Sequence, residues 1–193
     1  QNERSIHISQ AKAITIDNVE VRKAPEGVNS TGLTGNPASD AITIRDSHIH
    51  DIYVEGIRVS GRSVIEGNIV EDIANEFQKA GSISSWTLFG INTTTTGSHN
   101  TIKRNIVRNI GYIGIIGTAT GEISENYVKD PLTITTDGGA LAIDNTDGLV
   151  ISKNILEGGA GVLYAMPAIY GGYEPITKGL YFGDLSIKNT VVD

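Results

Sequence analysis

The chain has no cysteine, one methionine and one tryptophan among its 193 residues. Without cysteine there is neither a disulfide framework nor a thiolate metal site. Lysine and arginine number 15 against 22 acidic residues, a formal charge of −7, and no basic run stands anywhere in the sequence. That excludes the electrostatic footprint of a nucleic-acid binder or of a protein held to an anionic membrane. Proline is scarce and no apolar stretch approaches the roughly 20 residues that cross a bilayer as a helix. The opening residues, Gln1 to Ile8, lack the character of a secretory leader, so any export signal is expected upstream. Asn29-Ser30-Thr31 and Asn92-Thr93-Thr94 match the glycosylation triplet, a pattern that also arises by chance.

What is present points to strands. Hydrophobic residues make up 39%, mostly isoleucine and valine, and glycine stands at 23. β-branched side chains fit a pleated surface and glycine fits its turns. The length suits one domain, residues 1–193.

An internal repeat decides the fold class. Five segments superimpose without gaps: IRDSHIHDI from Ile44, IEGNIVEDI from Ile65, IKRNIVRNI from Ile102, ISENYVKDP from Ile123 and ISKNILEGG from Ile151. Their fourth column reads Ser47, Asn68, Asn105, Asn126, Asn154, at spacings of 21, 37, 21 and 28 residues. A coil of 21 residues with insertions accounts for all of them, and ITIDNVEV from Ile14 is an earlier copy. Ile44, Ile65, Ile102, Ile123 and Ile151 predict one inward ladder, and Ile49, Val70, Val107, Val128 and Leu156 another. One coil cannot bury such a face alone, whereas stacked coils pair their strands in parallel and share a core. The asparagine column is expected at the bend, where Asn tolerates left-handed backbone and stacked amides bond along the ladder. The fold class expected is all-β: a right-handed, single-stranded parallel β-helix with long loop insertions. The tail Asn189-Thr190-Val191-Val192-Asp193 matches Asn100 to Arg104, which leads into Asn105. On that alignment both ends are expected to be cut, with further coils of the same parent chain beyond them.

These residues resemble the right-handed β-helix repeat proteins of bacterial carbohydrate metabolism, over roughly residues 40–193. Thr136-Asp137-Gly138-Gly139-Ala140-Leu141 resembles the D-G-G-A-I-Y turn of a secreted group that includes glycoside hydrolases. Gly179-Leu180-Tyr181-Phe182-Gly183-Asp184 resembles that group's later G-I-Y-L-D-D strand. Ala142 stands where the first motif has Tyr, and Gly183 where the second has its first Asp. The resemblance implies a secreted, extracellular or periplasmic protein acting on a polysaccharide or oligosaccharide. Lyases and uronate epimerases share the fold with different residues, so the fold does not choose the reaction.

Chemistry in a solenoid collects where coils are lengthened, here at residues 24–40, 74–98, 131–148 and 158–178. The second stretch places Ile73 and Phe77 four apart, with Gly81 to cap a short helix. The fourth brings Tyr164, Tyr170 and Tyr173 among glycines, a candidate sugar platform, and Trp86 is a further candidate contact or a packing residue. Aligning Gly139 with Gly179 sets Asp144 beside Asp184, and carboxylates on stacked strands about 5 Å apart match a retaining glycosidase pair. Asp137 precedes the paired glycines, in a turn that approaches a ligand closely. Asp137, Asp144 and Asp184 are therefore the expected catalytic residues; capping of strand ends is the plainer role.

Asp51, Asp72, Asn109 and Asp130 recur four residues after the ladder, a turn signature preferred over calcium binding. The histidines His7, His48, His50 and His99 lack metal-ligand spacing, although His48 and His50 should share a strand face. No organic cofactor motif is present; calcium is left open. A lyase or epimerase would need a base, for which Lys79, Arg108 and Lys178 are available. The leading expectation is hydrolysis of glycosidic bonds; the alternative class is a non-catalytic adhesin, phage-fibre segment or glycan-binding scaffold.

Overall fold

The computed structural model describes residues 4–9, 12–31, 41–80, 87–93, 99–135, 139–157, 169–171, 186–188 and 191–192. Its first turn consists of β1 (Arg4–Ser9), β2 (Ile14–Asp17) and β3 (Glu20–Arg22). The next two repeat that order: β4 (Glu26–Thr31), β5 (Ala41–Arg45), β6 (His48–Ile52), then β7 (Glu55–Arg58), β8 (Arg62–Glu66), β9 (Ile69–Ile73). The fourth is β10 (Phe89–Thr93), β11 (His99–Lys103) and β12 (Ile106–Ile110). In the fifth and sixth, single long strands β13 (Ile113–Ser124) and β15 (Leu141–Ser152) replace the first two, followed by β14 (Tyr127–Lys129) and β16 (Ile155–Leu156). A seventh is marked by β17 (Ile169–Gly171), β18 (Ser186–Lys188) and β19 (Val191–Val192).

Every described pairing is parallel and joins one turn to the next, as a β-helix requires. The strands form three walls. The first holds β1, β4, β7, β10, the opening halves of β13 and β15, and β17; the second holds β2, β5, β8, β11, the closing halves, and β18. The third is the seven-stranded sheet from β3 to β19.

Both expected ladders are in place. Ile44, Ile65, Ile102 and Ile151 are wholly buried and Ile123 nearly so, each paired with its counterpart one turn away. Ile49, Val70, Val107, Val128 and Leu156 line the third wall. Each such side chain contributes about 1.5–3 kcal/mol by leaving water.

The first wall was hidden in the sequence. The stretches 24–40, 74–98, 131–148 and 158–178 contain β4, β10, the first part of β15, and β17 respectively, so they are only in part insertions. In β4, β7, β10 and β13 the second residue is glycine and the third apolar, giving little alternation to read: Gly27-Val28, Gly56-Ile57, Gly90-Ile91, Gly114-Ile115. The glycines form a column because the coils touch there. A Cβ on Gly56 would lie 2.7 Å from the carbonyl of Gly90 and 2.8 Å from Val70 Cγ1. One on Gly90 would meet the Gly114 carbonyl at 2.5 Å and Val107 Cγ1 at 2.8 Å.

The asparagine ladder closes the corner between the second and third walls. The backbone N–H of Asn68, Asn105 and Asn126 donates to the side-chain oxygen of the next asparagine up, at 3.0, 3.0 and 2.9 Å. Each Nδ2 also reaches back to a carbonyl, as Asn105 does to Ile65 at 3.0 Å. Ser47 continues the column, donating its N–H to Asn68 and accepting the N–H of Val19. One expectation is corrected: the left-handed residue is not the asparagine but the one before it. Asp46, Gly67, Arg104, Glu125 and Lys153 all have φ between 50 and 68°. Arg, Glu and Lys gain nothing intrinsic from that region; the amide ladder beside them holds the bend.

Between Ile73 and the fourth turn, the short helix expected near Phe77 is a 3-10 turn, Phe77–Ala80; its Phe77 packs on the core. The tail is also corrected. Ile187 pairs with Ile151 and Val191 with Ile155, so Val191 and Val192 form the third wall instead of leading into a ladder residue. The alignment with Asn100 to Arg104 failed because a Val pair suits either wall.

Candidate functional site

The first wall carries a tetrapeptide on successive turns, Glu26-Gly27-Val28-Asn29 and Glu55-Gly56-Ile57-Arg58, in register through Glu26 with Glu55 and Asn29 with Arg58. Val28 and Ile57 fill the core, whereas Arg58 is half exposed. Asn29, Arg58 and Asn92, neighbours in one column, therefore sit on the outer side of the wall. Glu55 is nonetheless only 3% exposed. Its Oε1 accepts the Asn92 Nδ2–H at 2.6 Å, and Arg58 Nη1 lies 3.7 Å from its other oxygen.

Burial raises the Glu55 carboxyl to about 7, against the opposing pull of Asn92 and Arg58 and with a smaller push from Glu26. Glu26 Oε2 accepts the Asn29 Nδ2–H at 2.7 Å. The remaining oxygen of that amide, Asn29 Oδ1, is buried with no hydrogen-bond partner among the described residues. A pair of carboxyls thus stands on neighbouring strands, one of them raised by burial toward neutrality, beside a buried acceptor with no partner among the described residues.

Asp137, Asp184, Tyr164, Tyr173 and Trp86 fall outside the described residues. Asp144 and Tyr170 are described in backbone only: Asp144 pairs with Thr118, and Tyr170 with Ala142. Around them Ile143 pairs with Gly171 and Val150 with Ser186, registers different from the one that aligned Gly139 with Gly179.

The acidic column is a turn. Asp51, Asp72, Asn109 and Asp130 all take left-handed backbone, φ 47 to 55°, at the corner leaving the third wall. Asp72 Oδ1 accepts from Asn109 and Asn75 at 3.1 and 3.2 Å. Among the described residues no group of three or more His, Asp or Glu converges as a metal site. His48 and His50 do share a face, their rings stacked at 4.2 Å, but each is bonded to a carboxylate: His48 to Glu71 at 2.7 Å, His50 to Glu20 at 3.0 Å and Asp51 at 2.9 Å.

Two candidate bases are tied up. Hydrogen bonds from Lys79 to Glu76 (2.6 Å) and from Arg108 to Glu71 (2.5 Å) push both cations further from losing a proton. Lys178 lies outside the described residues. Asn29 and Asn92, the first residues of the two glycosylation triplets, are each 3% exposed with their amides donated to Glu26 and Glu55. In the folded chain neither nitrogen can be reached.

No protein-family model, curated protein or solved structure matches this chain. The site therefore stands on its own geometry. Its signal was present in the sequence, in the repeated Glu-Gly-(Val/Ile) motif. It was overlooked because the motif falls between the stronger isoleucine repeats, in stretches taken for loops.

Proposed function

We propose that this is a carbohydrate-active β-helix protein that hydrolyses glycosidic bonds on the outer side of its first wall. The observation that carries the reading is the register pairing of Glu26 with Glu55, in which burial keeps Glu55 protonated near neutral pH. Glycoside hydrolysis needs one carboxyl to protonate the leaving oxygen and a second, ionised one across the bond. The secreted location and a polysaccharide or oligosaccharide partner belong to the same proposal, as does the resemblance of the Asp137 and Asp184 segments.

The test is release of reducing sugar from a panel of neutral and acidic polysaccharides. Turnover should fall on the alkaline side as Glu55 loses its proton. Glu55→Gln keeps the bond to Asn92 but cannot donate a proton, and should reduce turnover by at least about 100-fold while leaving sugar binding in place.

The near-complete burial of Glu55 favours a second reading, in which the pair is structural and the wall binds a glycan without cleaving it. Glycan-array binding with no turnover, unchanged by Glu55→Gln, would establish that reading and end the first.

A further inference from the structure

We propose that a proton on His50 works as a switch at the join between the first and second turns. While the proton is held, β3 is strapped to β6; when it leaves, that join loosens.

Both ring nitrogens of His50 face carboxyl groups. Nε2 lies 3.0 Å from Glu20 Oε1, across the join, and Nδ1 lies 2.9 Å from Asp51 Oδ2. An ionised carboxyl only accepts, whereas a neutral imidazole carries one N–H and one bare lone pair. Both contacts are therefore hydrogen bonds to carboxylates only when the ring carries two protons. A neutral ring sets its lone pair against one carboxylate or the other, so one contact is lost with the proton. His48 differs, because its contact with Glu71 Oε1, from Nε2 at 2.7 Å, needs one N–H and no charge.

The register explains why the ring is caught on both sides. β3 and β6 are parallel neighbours, with Glu20 opposite His48 and Arg22 opposite His50, so the Glu20 carboxylate reaches diagonally to His50. The stacked ring of His48 covers His50 and leaves its side chain 15% exposed. Contacts partly withdrawn from water are screened less than those of an open surface pair. Asp51 has a φ of 52° and turns the chain out of the third wall, and its carbonyl accepts the Lys23 N–H at 3.1 Å. The charged ring thus ties the corner of the second turn to a side chain of the first.

The other charges around the ring do not replace it. Arg22 lies 3.5 Å from Glu20 Oε1 but belongs to the same strand, so that ion pair does not span the join. Glu71 on β9 is shared between His48 and Arg108 of β12. Lys23 and Asp72 stand one turn to either side of Asp51 at the corner. Arg45 and Asp17, 2.6 Å apart, do span the same two turns, but in the second wall. Loosening is accordingly confined to the third wall.

Burial opposes the charge on His50, yet its bonds to Glu20 and Asp51 outweigh burial and raise it. The same bond, with help from Arg22, holds Glu20 below the usual carboxylate range. The strap is therefore complete below about 6.5, the ordinary histidine value, and is lost as pH rises through the raised one.

The experiment is NMR on the folded chain, on His50→Gln and on His50→Arg, from about pH 5.5 to about pH 8.5. Ring-nitrogen shifts report the protons on His50. Amide exchange, corrected for the intrinsic effect of pH, reports the join through Lys23 and His48, whose N–H groups bond to the Asp51 and Val19 carbonyls. Ile106 and Tyr127, bonded to the Asn68 and Asn105 carbonyls in later turns, are the reference. The expected result is a doubly protonated His50 ring at the acid end, titrating above about 6.5. Across that midpoint, protection of Lys23 and His48 should fall about two- to fivefold, with Ile106 and Tyr127 unchanged. His50→Gln should show low protection at every pH, and His50→Arg, charged throughout, high protection. The wild-type and His50→Gln profiles suffice if the arginine variant does not fold. A singly protonated ring at the acid end, or a fall that persists in His50→Gln, overturns the switch. An equal fall at Ile106 and Tyr127 also overturns it and assigns the pH dependence to Glu55.

Discussion

Replacing Asn105 by alanine tests what the amide ladder contributes to the fold. Asn105 is 1% exposed and makes four side-chain hydrogen bonds. Its Oδ1 accepts the backbone N–H and the Nδ2–H of Asn68, both at 3.0 Å; its Nδ2 donates to the Ile65 carbonyl and to Asn126 Oδ1, again at 3.0 Å. Alanine strands the Asn68 N–H and deprives the Ile65 carbonyl of a donor, in a corner closed to water. At about 1–3 kcal/mol for each buried group left unpaired, with a small cavity added, the expected cost is about 3–5 kcal/mol. Asn105→Ser should cost less, because Ser47 shows that a hydroxyl in this column can accept the N–H from the turn below. Urea denaturation followed by circular dichroism measures the loss as a lower midpoint with an unchanged slope. Because stacked coils can open singly, amide hydrogen exchange should show faster exchange at Asn68. A cost below about 1 kcal/mol, or equal effects of Ala and Ser, would refute the ladder as a source of cohesion.

Ile123→Ala should cost about 2–5 kcal/mol by opening a cavity in the second-wall ladder, against nearly nothing for Lys103→Ala; equal effects in urea melts would contradict the register. Gly90→Ala should destabilise by about 1–3 kcal/mol or more, since its Cβ meets the Gly114 carbonyl at 2.5 Å and backbone cannot swing aside; an unchanged melting temperature would show that the coils can spread. Stability should also fall toward alkaline pH. Folded Glu55 keeps its proton up to about 7 against an ordinary 4.5, so the stability it contributes is complete below about 4.5 and lost as pH rises through about 7, roughly 3 kcal/mol in all. His50 has the same sign: burial pulls it down, but its hydrogen bonds to Glu20 and Asp51 outweigh that and raise it. Glu55→Gln should flatten the Glu55 part of this slope; urea midpoints with the same pH dependence in both proteins would show that Glu55 titrates normally.

The coil and two of its three walls were legible in the amino-acid pattern. Isoleucine at Ile65, Ile102, Ile123 and Ile151, with asparagine three residues on, is a pattern that only stacked, parallel, half-buried strands satisfy, and it keeps the same phase across insertions of any length. The first wall, with its Gly-Val and Gly-Ile strands, was not legible because its glycines are chosen by contact with the turn above, as Gly56 is by Gly90. Nothing within a single turn requires them. The left-handed residues were misplaced for a related reason: Arg104, Glu125 and Lys153 bend because the neighbouring amide holds the corner, and no propensity of their own marks them. Tertiary structure alone decided the candidate site. Glu26 and Glu55 lie 29 positions apart in sequence, and only the register of β4 on β7 makes them neighbours. Enclosure of Glu55, which turns an ordinary carboxyl into a proton donor near neutral pH, is likewise a property of the assembled wall.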